Sequence, residues 1–343
     1  MKDITVLGID LAKDVFQLHG ANSHGKKVFG SKMSRTQLSR FIANLPRCKI
    51  AMEACGSSNH WARKFISYGH EVMQISPQHV KPFVQGNKND KNDARAITVA
   101  AQQSEMPTVP TKTLEQQEVQ MIHRYRESVV QERTALCNRI RGFLREVGLL
   151  LPVGLSAVRK QVPLLLEDAS NDLTSLMREL LQDCYDKLRG LDEQIDKYTR
   201  KLEAQASANT ICKKLMRLPG VGPMTASIVY TAMGNANTFK NGRQFAAYLG
   251  LTPQEHSSGG KQRLSGITKR GNCYIRSLLV HGGRAVVRSM SNKETSIARW
   301  ANRIHQERGY NKAAVAIANK NARHMWAMLA YGDKYVDYLH LCA

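Results

Sequence analysis

The sequence predicts an α/β plus all-α protein: an N-terminal mixed sheet with helices, followed by mainly helical regions. Residues 4–75 show three antiparallel strands and then alternating helix and strand. Residues 114–202 carry apolar side chains at three- and four-residue steps, and glycine-rich turns separate helical stretches after residue 206. A chain of 343 residues suits two or three domains, and we predict boundaries that give residues 1–106, 107–205 and 206–343.

The N-terminal elements follow from short apolar runs and turn residues. A β-branched run ends at Asp10, and two further strands join as a hairpin across the polar turn at 21–25. Ser34 caps a helix that Pro46 ends. The remaining predicted elements are a strand at 49–52, a helix at about 57–68 and a strand at 71–75.

Four carboxylates lie at the ends of these elements. Asp10 follows the first strand, where it is either a turn-capping residue or a metal ligand, and Glu53 follows a later strand. Asp90 and Asp93 share one face at the start of a helix. Asp90 alone would suit an N-cap, but a cap needs no second acid at Asp93. Carboxylate oxygens are the ligands that Mg²⁺ prefers, and paired ions stabilise both oxygens of a phosphodiester displacement.

The middle of the chain predicts two long helices, at about 114–147 and 173–202. Their apolar stripes predict an antiparallel hairpin or coiled coil, with a possible dimer contact, or equally a local bundle within one subunit. The arginines of the first helix either contact nucleic acid or form a solvated face.

The last region contains a turn and a loop of functional interest. The turn at 218–223 resembles that of a helix-hairpin-helix module, whose backbone N–H groups at Gly220 and Gly222 suit a phosphate; a tight helix connection is the alternative. The loop at 254–263 suggests flexibility, but a serine hydroxyl held among cations is also a candidate nucleophile toward phosphorus. We expect Trp300, Trp326 and Tyr331 in the core. The cations near the loop are Lys261, Arg263, Lys269, Arg270 and Arg276.

The net charge of +22 is unevenly distributed. Residues 1–106 hold 15 Lys and Arg against 8 Asp and Glu, residues 107–205 hold 15 against 15, and residues 206–343 hold 20 against 5. Two basic ends predict a phosphate polymer as partner. We expect no signal peptide and no membrane span. Seven scattered cysteines without a Cys-x-x-Cys pair predict reduced thiols, and we expect a cytoplasmic, nucleoid-associated protein.

Together, these motifs resemble one family. The order of elements and acids is similar to the ribonuclease-H-like, RuvC-type nuclease fold with a DEDD quartet. The stretches at 8–13, 53–56, 88–95, 219–222 and 244–253, with Ser258-Gly259, resemble the DEDD transposases of insertion-sequence family one-hundred-ten, which include the Piv pilin-gene invertases. Cys55 departs from the family pattern, which more often has Thr after Glu-Ala, but it lies beside the expected ligands.

The resemblance implies a division of roles. Asp10, Glu53, Asp90 and Asp93 would hold Mg²⁺, and Ser258 would form a covalent phosphoserine link to DNA during strand exchange between donor and target double-stranded DNA. It also implies homodimers or homotetramers with shared active sites, and a noncoding bridge RNA as guide. Two alternatives stay open: a hydrolytic nuclease or Holliday-junction resolvase that uses the quartet without serine chemistry, and a non-catalytic nucleic-acid-binding scaffold.

Overall fold

The computed structural model describes residues 3–87, 89–289 and 295–332, which form two compact units. The first contains the described residues of 1–114 together with 232–240, and the second contains those of 115–231 and 241–343. The predicted division into three domains stays a prediction. Among the described residues, no helix is both long enough and apolar enough to cross a membrane.

The first unit is built on a mixed six-stranded sheet, which confirms the predicted α/β architecture. Its strand order is β3-β2-β1-β4-β5-β6. Neighbours β3, β2 and β1 are antiparallel, β1, β4 and β5 are parallel, and β6 is antiparallel to β5. Part of the segment predicted as a linker at 105–113 thus forms an edge strand, a position that tolerates the flanking prolines. The strands are β1 (Val6–Asp10), β2 (Val15–Ala21), β3 (Lys27–Ser34), β4 (Lys49–Glu53), β5 (Glu71–Ile75) and β6 (Thr108–Val109).

Helices cover both faces of this sheet, because β1 and β4 have apolar or small residues on either side. Leu7, Ile9, Ile50 and Met52 are fully buried in one core, which also contains residues from α1 and α2. Ala51 belongs to a second core, with residues from α4. The helices are α1 (Arg35–Ala43), α2 (Ser58–Ser67), α3 (Pro77–Val80) and α4 (Asp90–Ala101), with a short 3₁₀ turn at Lys81–Phe83.

The second unit is mainly helical, as predicted. The two long predicted helices are present as α5 and α7, and a shorter helix, α6, lies between them in sequence; we did not predict α6, because Gly154 and Pro163 are typical of helix ends and loops. The helices are α5 (Leu114–Glu146), α6 (Leu155–Glu167), α7 (Ser175–Ala208), α8 (Thr210–Leu215), α9 (Pro223–Met233), α10 (Gly242–Tyr248), α11 (Cys273–Ser289), α12 (Ser296–Arg308) and α13 (Tyr310–Tyr331), with a hairpin of β7 (Pro253–Glu255) and β8 (Leu264–Ile267). The 3₁₀ turn at Ala236–Thr238 belongs to the 232–240 segment of the first unit.

The second unit has two separate apolar cores. One is shared by α5, α6 and α7. The described residues of this region therefore pack as a local helical bundle within one subunit, one of the two predicted arrangements. The other joins α11, α12 and α13, with Trp300 partly buried against it. Trp326 is buried as expected, but Tyr331 is 58% exposed, which corrects its predicted core position: it is the last residue of α13 and packs edge-on against Trp326.

Candidate active site

The sheet register brings Asp10 and Glu53 to the same edge. Strands β1 and β4 are parallel neighbours, and Ile9 pairs with Met52, so the two carboxylates follow at equivalent positions. Side chains alternate along a strand, which places Asp10 on the face of Gly8 and Glu53 on the face of Ala51. That face is the one α4 covers.

Gly8 permits α4 to approach the sheet closely. A Cβ at this position would overlap the Thr98 hydroxyl and would lie 2.6 Å from the Ala94 carbonyl oxygen. The Thr98 hydroxyl is also 3.0 Å from the carbonyl oxygen of His19 on β2. Glycine in a strand often marks such a close approach. The contact fixes the helix that carries the two remaining acids beside the strand that carries Asp10.

Helix α4 begins at Asp90, and its N-cap is Asn89. The Asn89 side chain accepts a hydrogen bond of 2.9 Å from the Asn92 backbone N–H. The capping role considered for Asp90 is therefore wrong, since Asn89 already performs it. Asp90 and Asp93 lie in the first turn, where the helix dipole stabilises negative charge.

The four carboxylates interact electrostatically. Burial, followed by repulsion from Asp93, Asp90 and Glu53, raises the pKa of Asp10 to about 6. Burial and repulsion from Asp93 also raise the pKa of Glu53. No described residue forms an ion pair with any of the four. The structure therefore brings the four carboxylates within electrostatic range of one another, and none of them forms an ion pair with a described side chain.

This donor set fits a divalent cation by its chemistry. Hard oxygen ligands suit Mg²⁺, and a cation would relieve the repulsion that raises the Asp10 pKa. As the side chains stand, however, no three His, Cys, Asp or Glu residues in the described part of the chain are grouped tightly enough to hold a metal ion.

Ser258 lies at the tip of the β7–β8 hairpin, which forms within the loop predicted at 254–263. The Ser258 carbonyl accepts a hydrogen bond of 3.1 Å from the Lys261 N–H, and between them Gly259 and Gly260 have φ of +55° and +75°. Positive φ at both central residues is the type I′ geometry of a tight hairpin, which glycine adopts without strain. The sequence did not predict these two strands, because β7 has no buried residue and therefore no alternation of apolar and polar side chains.

The two serines of the hairpin differ in their partners. Ser257 donates to the Glu255 carboxylate and accepts a hydrogen bond of 3.1 Å from the Arg263 N–H. The exposed Ser258 hydroxyl has no hydrogen-bond partner among the described residues. The Ser258 hydroxyl is therefore available to contact a bound molecule, whereas the Ser257 hydroxyl is engaged in hydrogen bonds within the hairpin.

The predicted cations occupy two places in this unit. Lys261 and Arg263 are exposed on the hairpin with Ser258. Lys269 and Arg270 lie in the loop after β8, and Arg276 on α11 donates a hydrogen bond of 3.2 Å to the Leu249 carbonyl at the end of α10. Arg276 thus has a structural contact, while the exposed Lys269 and Arg270 are available to a ligand.

The glycines of the predicted phosphate-binding turn have different surroundings. Gly220 has φ of +79°, and a Cβ there would lie 2.5 Å from the Gly282 carbonyl oxygen on α11. This close packing matches the helix-connection alternative for Gly220. Gly222 is exposed, with nothing within 4 Å of a built Cβ. A nucleic-acid contact at either glycine stays a prediction.

Comparison with known proteins identifies two family matches. Residues 7–148 match the model DEDD_Tnp_IS110, described as "Transposase", and residues 212–299 match "Transposase IS116/IS110/IS902 family". Among individual proteins, the transposase for insertion sequence element IS1111A of Coxiella burnetii is 44% identical over 98% of this chain and 92% of its own. A probable family 20 transposase of Pseudomonas aeruginosa is 44% identical over 96% and 97%, and the pilin gene-inverting protein of Moraxella bovis is 23% identical over 80% of each chain.

Proposed function

This chain belongs to the IS110 family of DEDD insertion-sequence transposases, and from that membership we propose that it recombines DNA through a serine nucleophile. The observation that carries the proposal is the Ser258 hydroxyl, exposed and without a described partner at the tip of a tight Gly-Gly hairpin. Lys261 and Arg263 on the same hairpin supply positive charge for a phosphodiester.

We assign the first unit to the ribonuclease-H-like, RuvC-type fold and its carboxylates to Mg²⁺. Support for the fold comes from three antiparallel strands joined to parallel β4 and β5, with helices on both faces. Asp10, Glu53, Asp90 and Asp93 would hold the ion. When bound, Mg²⁺ supplies positive charge at the phosphate oxygens during displacement.

In the covalent step, the Ser258 oxygen attacks phosphorus after losing its proton. The new Oγ–P bond replaces the bond from phosphorus to one deoxyribose oxygen, which leaves as a hydroxyl after gaining a proton. A hydroxyl from the partner DNA strand then attacks the phosphoserine, restoring the serine and joining the strands. The number of phosphodiester bonds is conserved, so the exchange needs no external energy source.

We propose donor and target double-stranded DNA as substrates, with a noncoding bridge RNA as guide, in the nucleoid. Two nucleic-acid partners are consistent with separate basic regions, of net charge +7 in residues 1–106 and +15 in residues 206–343. Homodimers or homotetramers with shared active sites would complete the assembly, with the quartet and Ser258 cooperating in one reaction.

The experiment is a recombination assay with the element's flanking noncoding RNA, Mg²⁺ and paired donor and target DNA. Recombinant product is scored by sequencing, and protein–DNA adduct by a band that resists denaturing detergent. Ser258→Ala should abolish both signals. The hydroxyl of the neighbouring Ser257 is held by hydrogen bonds within the hairpin and should not replace the Ser258 hydroxyl as nucleophile. Binding of DNA should persist, since the change removes one exposed oxygen.

Ser257→Ala is the matched control. It alters the neighbouring serine and should retain the adduct, since Ser257 serves the hairpin. Adduct formation by Ser258→Ala would refute the nucleophile. Cleaved ends without adduct, unaffected by Ser258→Ala but lost with Asp10→Asn, would instead establish the hydrolytic nuclease.

A further inference from the structure

A large concave groove lies in the second unit. It has a volume of about 1720 Å³ and is formed by α10, the hairpin, α12 and α13. Sites for drug-sized ligands have volumes of roughly 300–1,000 Å³. The size therefore suits an extended ligand better than a metabolite.

The groove is strongly cationic. Among its charged side chains Glu307 is an acid, whereas six are Lys or Arg, and none of those six forms an ion pair with a described residue. An unpaired set of this kind is complementary to a polyanion, which would release counterions from both surfaces. The six are Arg243, Arg303, Arg308, Lys312, Lys320 and Arg323.

Apolar side chains also line the groove, which separates it from a purely ionic surface. Trp300 and Ile304 on α12 are only partly buried, and Leu264 on β8 is 55% exposed. The Lys320 ammonium lies 4.7 Å from the centre of the Trp300 ring, so an aromatic ring and a cation are presented together. Single-strand binding sites combine these two elements, with bases on aromatic faces and phosphates on cations.

One wall of the groove is the hairpin that carries Ser258. Residues 264–267 of β8 line it, and the same strand leads back to the Ser258–Lys261 turn. A strand bound along this wall would therefore be held by the element on which the proposed nucleophile sits.

We propose that this groove binds an unpaired strand of DNA. The inference rests on the proposed function for the choice of DNA, and on charge and apolar lining for the choice of an unpaired strand. In a duplex the base faces are stacked inside, so it presents only phosphates and base edges to a protein. The apolar lining of the groove would then have no base face to contact. An acidic peptide would match the charge but would not call for an aromatic ring with a cation stacked on it.

Fluorescence anisotropy of the full-length protein tests this assignment. The probes are a labelled mixed-sequence single-stranded oligodeoxynucleotide, its duplex and the oligoribonucleotide of the same sequence, all in EDTA so that no DNA is cut. Trp300→Leu keeps an apolar side chain but removes the ring, and it should weaken single-strand binding about tenfold. Arg303→Gln should lower the slope of log affinity against log salt by about 0.7 for the single strand.

Arg299→Gln is the matched control, because Arg299 is exposed on α12 without lining the groove. It should leave single-strand affinity within about twofold. Duplex affinity should change little in all three variants. Equal losses for single strand and duplex, no loss in either groove variant, or a loss confined to RNA would each overturn the assignment. Circular dichroism of each variant shows whether it has folded.

The outcome is separable from the test of the proposed function. Binding in EDTA requires no chemistry. If the groove variants bind normally, a Ser258-dependent adduct would still support the proposed function. Conversely, a missing adduct with intact single-strand selectivity would refute the serine mechanism and retain the groove.

Discussion

Gly8→Ala tests how the fold assembles the four carboxylates. The added methyl would overlap the Thr98 hydroxyl and would lie 2.6 Å from the Ala94 carbonyl oxygen and 2.8 Å from the Thr98 backbone nitrogen. Two of these three atoms belong to the backbone of α4, so a side-chain rotation cannot remove the overlap. The helix must move away from β1, and overpacking of this kind costs about 3 kcal/mol.

Native-state hydrogen exchange measures that cost locally. The free energy of opening for β1 and α4 amides should fall by about 3 kcal/mol, so these amides should exchange about 150-fold faster. Adding Thr98→Ala to Gly8→Ala should restore only part of the protection, because the clash with the α4 backbone stays. Gly56→Ala is the control: a Cβ there meets nothing within 4 Å, so the change should be within about 0.5 kcal/mol.

The same substitution also makes a functional prediction. If α4 moves, Asp90 and Asp93 move relative to Asp10, and the proposed Mg²⁺-dependent recombination should fall even where the protein stays folded. Unchanged protection of α4 in Gly8→Ala would refute the close-approach argument. A loss of protection with full activity would show that the position of α4 is not critical for the quartet.

Two further perturbations probe the second unit. His123 is 1% exposed, with Nε2 hydrogen-bonded to the Ser227 hydroxyl at 2.9 Å and Nδ1 to the Tyr274 hydroxyl at 3.0 Å. Burial, followed by repulsion from Arg126, lowers its pKa to about 4. The unfolded state therefore binds more protons between pH 6.5 and about 4, so stability should fall by about 2 kcal/mol from pH 8 to pH 5 relative to His123→Gln, as measured by denaturant unfolding; parallel pH profiles would contradict this. Gly260→Ala forces a Cβ onto φ of +75°, at about 1–2 kcal/mol, and should reduce adduct formation, whereas Gly266→Ala on β8 has open space and should not; equal effects would show that the turn geometry is unimportant.

Much of the first unit was predictable because its strands bury large residues. Runs such as those ending at Asp10 and Glu53 are short, apolar and bounded by turns, and the structure confirms both as neighbouring strands. The N-cap was misassigned by one residue, since Asn89 and Asp90 are both good caps and sequence pattern seldom separates adjacent candidates.

Other features left weaker traces. Gly259-Gly260 is a hairpin signal, but the exposed strands around it have no apolar alternation to support the interpretation. The groove residues come from four elements spread over residues 241–327, so their proximity depends on helix packing that no local pattern encodes. The excess of positive charge after residue 206 predicted a nucleic-acid partner but did not show which residues form its binding surface.

The position of the carboxylate site follows from alternation along two strands. In β1, Leu7 and Ile9 point into one core, and Gly8 therefore faces α4; in β4, Ile50 and Met52 do the same, and Ala51 faces α4. Asp10 and Glu53 continue the second face, one step beyond its small residues. Small side chains are needed where the helix approaches, and carboxylates follow where the helix begins and its first turn contributes two more acids. The packing of α4 and the gathering of negative charge are therefore consequences of one pattern, and a larger residue at Gly8 should disturb both together.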